Sequence, residues 1–143
     1  MEQRTVLFVD DEKNILNALK RVLLDEPYET IFAESAKEAL EMLRAEQVHV
    51  ILSDMRMPGM SGLELLKIVK KEHPYIIRLL FSAYTDIHTL MAAINQGQIL
   101  RFITKPWGHD EELRTIIRQA IEYYDLHSEY EMLMHFVEQW VEG

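Results

Sequence analysis

At 143 residues, nearly half of them apolar, the chain holds enough material for one domain with a full hydrophobic core and a short appendage. It has no apolar run near the roughly 18 residues of a membrane span, no basic-then-apolar leader and no cysteine, so it reads as a soluble, unexported, cytoplasmic protein without disulfide or thiolate chemistry. Residues 122–143 carry six acids and no Lys or Arg, which leaves only −3 of the net −9 on the first 121 residues; neither part offers the basic stripe that direct nucleic-acid binding needs.

Thr5 to Val9 is an apolar run that stops at Asp10-Asp11-Glu12 and predicts a first strand. Ile15, Leu16, Leu19, Val22 and Leu23 then recur at helical spacing until Pro27 closes the segment. Tyr28 to Ala33 predicts a second strand, and Ser35-Ala-Lys-Glu38 is a capping box opening a helix through Ala39, Leu40 and Leu43. The run from Val48, short and bounded by turn residues, predicts a strand buried on both faces; it ends at Asp54, before the turn Met57-Pro-Gly-Met-Ser-Gly62. A second capping box, Ser61-Gly-Leu-Glu64, starts a helix with Leu65, Leu66, Ile68 and Val69 that His73-Pro74 ends.

Ile76 to Phe81 predicts a fourth strand, terminated by Ser82. Asp86 is placed to cap the helix marked by Leu90, Met91 and Ile94, and Gly97 ends that helix. Ile99 to Ile103 predicts a short fifth strand running into Thr104-Lys-Pro-Trp-Gly108. The last helix of the body starts near His109-Asp-Glu-Glu112, with acids at its positive end, and buries Leu113, Ile116, Ile117, Ala120 and Ile121.

Five strand-helix pairs in strict alternation predict an α/β, doubly wound, five-stranded parallel sheet with helices on both faces. Residues 1–124 form the body and 125–143 an acidic helical extension. Around and within that extension Tyr123, Leu126, Tyr130, Leu133, Val137 and Trp140 recur at alternating three- and four-residue steps. This seam is under three heptads long and suits either a partner helix, such as a second copy, or a fold-back onto the body.

Parallel strands bring their carboxyl ends to one edge, where open α/β sheets bind ligands. That edge collects Asp10, Asp11, Asp54, Ser82 and Lys105. Clustered carboxylates favour a raised pKa or a hard divalent cation, and Mg²⁺ suits an oxygen set with retained waters. Add a lysine and a hydroxyl for phosphoryl oxygens, and Asp54 becomes a candidate nucleophile for an aspartyl-phosphate. Taken singly, each residue has a duller reading: Asp11 as a helix cap, Asp54 as a surface acid, Ser82 and Lys105 as loop residues. Their joint occurrence at four strand ends favours the chemistry. The six histidines show no metal-ligand spacing and read as surface residues, while Met55, Met57 and Met60 read as adaptable packing around the turn.

The set Asp10-Asp11, Asp54 before Met57-Pro58-Gly59-Met60-Ser61-Gly62, Ser82-Ala83 and Lys105-Pro106 closely resembles the receiver domain of bacterial two-component response regulators, over roughly residues 4 to 124. The resemblance implies a flavodoxin-like strand order 2-1-3-4-5. It implies Asp54 as acceptor of a phosphoryl group from a sensor histidine kinase or phosphotransfer protein, and Mg²⁺ held by Asp11, Asp54 and the backbone carbonyl of Arg56, with Asp10 helping through water. Lys105 would contact the phosphoryl group, Ser82 would turn toward it, and Phe102 would swing inward as the aromatic switch. A downstream output domain or protein would read the change. Many relatives carry threonine at Ser82 and tyrosine at Phe102; serine keeps the hydroxyl, whereas phenylalanine keeps only the packing half of the switch. Asn95-Gln-Gly97 and Arg101-Phe-Ile-Thr-Lys-Pro-Trp107 further resemble receivers joined to HD-GYP phosphodiesterase or transcriptional activator outputs.

Three other readings compete. An aspartate-nucleophile phosphatase generally needs a second aspartate two residues after the first, where this chain has Arg56. A phosphorylation-independent interaction module would not need the intact acid pair, nucleophile, hydroxyl and lysine. Flavin binding on the same fold would need a Gly/Ser/Thr-rich turn, not acids, after the first strand. The expected protein is therefore a self-directed phosphoacceptor with slow autodephosphorylation, not an enzyme acting on other substrates.

Overall fold

The alternation of short aliphatic runs with amphipathic segments folds as expected from two-sided burial. The computed structural model describes residues 3–142; residues 1, 2 and 143, the ends of the expected body and extension, lie outside the described residues. Five strands, β1 (Thr5–Val9), β2 (Glu29–Ala33), β3 (Val50–Asp54), β4 (Ile77–Ser82) and β5 (Arg101–Thr104), form one parallel sheet in the order β2-β1-β3-β4-β5. The helices are α1 (Lys13–Val22), α2 (Ala36–Ala45), α3 (Gly62–Glu72), α4 (Ile87–Asn95) and α5 (Asp110–Glu142), with a 3-10 turn at Tyr84–Asp86 before α4.

Successive strand residues point to opposite faces, so each inner strand feeds two cores. Leu7, Val9, Ile51 and Leu80 pack with Ala39, Leu65, Leu66, Val69 and Leu90 of α2, α3 and α4. Val6, Phe8, Val50, Leu52, Leu79 and Phe81 pack with Leu16 and Leu19 of α1 and Leu113, Ile117 and Tyr124 of α5. At about 25 cal/mol per Å² of apolar surface, each of these fully buried side chains contributes on the order of 2 kcal/mol, so the sheet's inner strands form a rigid platform for their carboxyl ends.

Both capping boxes form at their serines: Ser35 Oγ accepts from the Glu38 amide and Ser61 Oγ from the Glu64 amide. Gly97, at φ +71°, ends α4, and the Lys70 ammonium donates to the Gln96 carbonyl at 2.8 Å, placing a cation at the negative end of that helix.

Four expectations need correction. The fifth strand begins at Arg101, not Ile99, because Arg78 holds the preceding segment as a loop: its guanidinium donates to the carbonyls of Gln98 at 2.9 Å and Gly97 at 3.2 Å, as well as to Ile76 and Pro74. β4 runs one residue later than expected, so Ser82 belongs to the strand. His49 is buried, not on the surface; its Nδ1 accepts from the Thr5 amide at 2.9 Å and its ring meets Tyr124 edge-on. Asp86 occupies the N-cap position of α4 but makes no side-chain cap, because its carboxylate is engaged elsewhere.

α5 is continuous through the expected 124/125 boundary. The stripe it turns toward the body past Tyr124 is Ser128, with Glu131, His135 and Glu138 lining a groove against Lys67, Lys70 and Lys71 of α3. The apolar seam is therefore not folded back: Leu126, Tyr130, Leu133 and Trp140 are exposed, Leu126 and Trp140 at 78 %.

Candidate functional site

The carboxyl ends of β1, β3, β4 and β5 bring Asp10, Asp11, Asp54, Ser82 and Lys105 to one edge of the sheet. Asp10 and Asp54 are buried and Asp11 is exposed, and one carboxylate oxygen from each lies within 4.8 Å of the others. Lys105 reaches across from the far side of the sheet: its Nζ stands 2.9 Å from Asp10 Oδ2 and 3.3 Å from Asp54 Oδ1. The second oxygen of Asp10 accepts from the Glu12 amide at 2.9 Å, which fixes the carboxylate at the start of α1. The Lys105-Pro106 peptide bond is cis.

Burial pushes the Asp54 carboxyl up to about 6 from its ordinary 3.8, and the neighbouring Asp10 charge adds to this, while Lys105 opposes it. Burial works against the Lys105 ammonium, but its hydrogen bond to Asp10 and the charges of Asp10 and Asp54 carry its pKa above the usual lysine value. Of the three clustered carboxylates, two, Asp10 and Asp54, share one ammonium. The remaining negative charge and the all-oxygen donor set suit a hard divalent cation, so the cluster is able to hold a metal ion.

The loop after Asp54 is shaped by its glycines. Gly59 takes φ +78°, and Gly62, donating its amide to the Met55 carbonyl, lies so close to β3 that a Cβ there would sit 1.8 Å from the Asp54 carbonyl oxygen. Met57 is buried in the core while Met55 and Met60 are partly buried against it, so the loop is pinned from below as the packing reading expects. The motif residue Gly62 was visible in the sequence, but its reason, a backbone approach without room for one carbon, needed the fold.

Ser82 is 2 % exposed, and its one hydroxyl proton is shared by the Ala83 carbonyl at 3.1 Å and Asp86 Oδ2 at 3.2 Å. The other oxygen of Asp86 accepts from Arg56 Nη2 at 2.5 Å. The resemblance implies a backbone role for Arg56 and the local sequence a cap at Asp86; no local signal announces that their side chains meet. Phe102, in the middle of β5, is half-buried, packs against the α2–α4 core and lines an open groove with Arg101, Trp107 and Ile116. Trp107 stacks at a tilt on Phe81 and donates its indole N–H to Asp110 at 3.0 Å.

The family model of the response regulator receiver domain matches residues 6–118. The chain belongs to that family. This receiver is 44% identical over 121 residues to the hydrogenase transcriptional regulatory protein HoxA of Cupriavidus necator, covering 85% of this chain and 25% of that protein. It is 35% identical over 124 residues to the DNA-binding transcriptional regulator NtrC of Escherichia coli K12, covering 87% and 26% respectively. The receiver thus spans about a quarter of the length of the curated relatives it matches. Among solved structures, the signal receiver domain of an HD domain-containing protein from Pseudomonas fluorescens Pf-5 superposes with TM-score 0.83 at 33% identity, covering 90% of this chain and 94% of that one. NtrX from Brucella abortus in complex with ADP gives 0.81 at 30%, covering 92% and 30%. The receiver fold, and its presence in relatives named as an HD domain-containing protein and as transcriptional regulators, agree with the resemblance read from the motifs. Receivers of this kind are signalling switches and not classical enzymes, and no helix among the described residues is long and apolar enough to cross a membrane.

Proposed function

We propose that the chain is a phosphorylation-controlled switch in which Asp54 takes a phosphoryl group from the phosphohistidine of a sensor kinase or phosphotransfer protein. The observation that carries this reading is a buried carboxylate at the end of the central strand, held 3.3 Å from a lysine that also binds a second, fixed acid. In the transfer, an Asp54 carboxylate oxygen bonds to phosphorus as the phosphorus–nitrogen bond breaks, and that electron pair returns to the imidazole, which takes a proton from solvent. Lys105 neutralises charge on the phosphoryl oxygens and orients them, and Ser82 supplies a hydroxyl donor once it turns.

Mg²⁺ fits the donor set: Asp11 and Asp54 would hold it with the Arg56 carbonyl, and Asp10 would assist through water. When bound, it supplies charge neutralisation for the acids and a Lewis acid for a phosphoryl oxygen. Asp10, already engaged by Lys105 and the Glu12 amide, keeps the lysine aimed at Asp54. The filled site changes the packing around Phe102 and the outer face of β4 and β5, which an output domain or protein reads. The body is residues 1–124 and the extension 125–143 a helical connector whose apolar seam suits pairing with a second copy. Nothing in this reading calls for direct nucleic-acid contact by the receiver itself or for attachment to a membrane, and it places the protein in the cytoplasm.

Intact mass after incubation with acetyl phosphate tests the reading. Wild type should gain about one phosphoryl group only with Mg²⁺, and Asp54→Asn should gain none. No gain in wild type would favour a phosphorylation-independent interaction module, and continuous phosphate release at enzyme-like rates would favour the phosphatase.

A further inference from the structure

Ser82 cannot serve a phosphoryl group where it now points. Its single proton is committed to the Ala83 carbonyl and to Asp86, and a carboxylate is the stronger acceptor of the two because the hydrogen bond is charge-assisted and Ser82 is buried. Asp86 in turn is held by Arg56, which reaches over from the loop after Asp54 to the 3-10 turn before α4. The Arg56 side chain is 75 % exposed, whereas that of Asp86 is 13 % exposed, so the pair lies as a surface clasp across a largely enclosed carboxylate. It also forms part of the wall of an open groove lined by Met55, Met57, Ser61 and Thr89 beside the site.

We propose that Arg56 and Asp86 are positioning residues that latch Ser82 away from Asp54, so that phosphorylation must break the Ser82–Asp86 hydrogen bond before the hydroxyl can engage the phosphoryl group. This rests on Asp54 being the phosphoacceptor. The latch has a second consequence. Asp86 stands at the N-cap of α4, whose first-turn amides receive no side-chain cap while the carboxylate holds Arg56 and Ser82. Release of the hydroxyl frees the oxygen nearest it to accept from those amides, so the turn of Ser82 and the start of α4 are coupled through one carboxylate with two exclusive sets of partners. Arg56, whose backbone carbonyl the proposed function adds to the metal ligands, would link the metal site to the same carboxylate through its side chain.

The test measures the initial rate of phosphoryl uptake from acetyl phosphate with Mg²⁺, by intact mass, for wild type, Arg56→Ala, Asp86→Ala, Ser82→Ala and the Ser82→Ala/Asp86→Ala pair, each checked for a native circular dichroism spectrum. Removing the latch should raise the rate by about 10-fold in Asp86→Ala, the weight of roughly one charge-assisted hydrogen bond, and by less in Arg56→Ala, which leaves the carboxylate in place. In the Ser82→Ala background Asp86→Ala should change the rate by less than about twofold, a dependence that a general loosening of the loop would not produce. Amide hydrogen exchange of unphosphorylated protein supplies the second measurement: residues 84–90 should exchange faster in Asp86→Ala, which loses the latch and the carboxylate able to cap α4 together. A folded Asp86→Ala with an unchanged or lower rate, or with the same acceleration when Ser82 is absent, would overturn the latch while leaving the phosphoacceptor intact. Failure of wild type to gain mass would overturn both.

Discussion

Asp54 is held in a place that suits its chemistry better than it suits the stability of the metal-free protein. Its folded pKa, about 6, lies above the 3.8 of an unperturbed carboxyl, so the folded state binds the proton more tightly and the charged form is destabilising. The penalty is absent below about pH 4, grows as pH rises to about 6 and is constant above. With chelator present, Asp54→Asn should therefore be more stable than wild type at pH 7.5 by about 1–2 kcal/mol, after allowance for water at the open mouth, and the difference should vanish near pH 4. Urea titrations across that range check the sign; an Asn variant less stable at neutral pH would refute the account. Gly62 is the opposite case, a residue kept for space alone. A methyl there meets the Asp54 carbonyl oxygen at 1.8 Å, so Gly62→Ala should lose about 3 kcal/mol and displace the Asp54 loop, seen as a lowered urea midpoint together with slower phosphoryl uptake.

At the scale of elements, the strands' inner positions were legible because burial on both faces leaves a compositional trace: β1 and β3 read correctly at Thr5 to Val9 and up to Asp54. The edges were not, since the ends of β5 depend on a side chain from another strand. Arg78 is the clearest instance. Its guanidinium satisfies the carbonyls of Pro74, Ile76, Gly97 and Gln98, so it fixes both the start of β4 and the loop leading to β5. Replacing it by methionine keeps the apolar stem but leaves partly buried carbonyls without donors, and should cost about 2 kcal/mol. Hydrogen exchange should localise the loss to residues 97–104, and exchange that rises uniformly over the sheet would argue for a global effect instead.

For the whole molecule, α5 belongs to two environments. Through Tyr124 and Ser128 one face closes the core beneath β3 and β4; on the other, the seam of Leu126, Tyr130, Leu133, Val137 and Trp140 faces outward. Such a seam, under three heptads long, should pair weakly with a second copy, so sedimentation should show a concentration-dependent dimer that Leu126→Glu/Leu133→Glu abolishes without altering the urea midpoint of the body. A monomer at all concentrations would remove the seam as a self-association surface. The sequence by itself determined the alternation of strands and helices, the two serine caps and the alignment of acids, serine and lysine at strand ends, because hydrophobic periodicity and turn chemistry are local properties written along the chain. Only the tertiary structure decided that Lys105 lies between Asp10 and Asp54, that His49 is buried, and that Asp86 gives up its cap to hold Arg56 and Ser82. Those are contacts between residues 4 to 95 positions apart, set by strand order and loop path, and no period in the sequence encodes them.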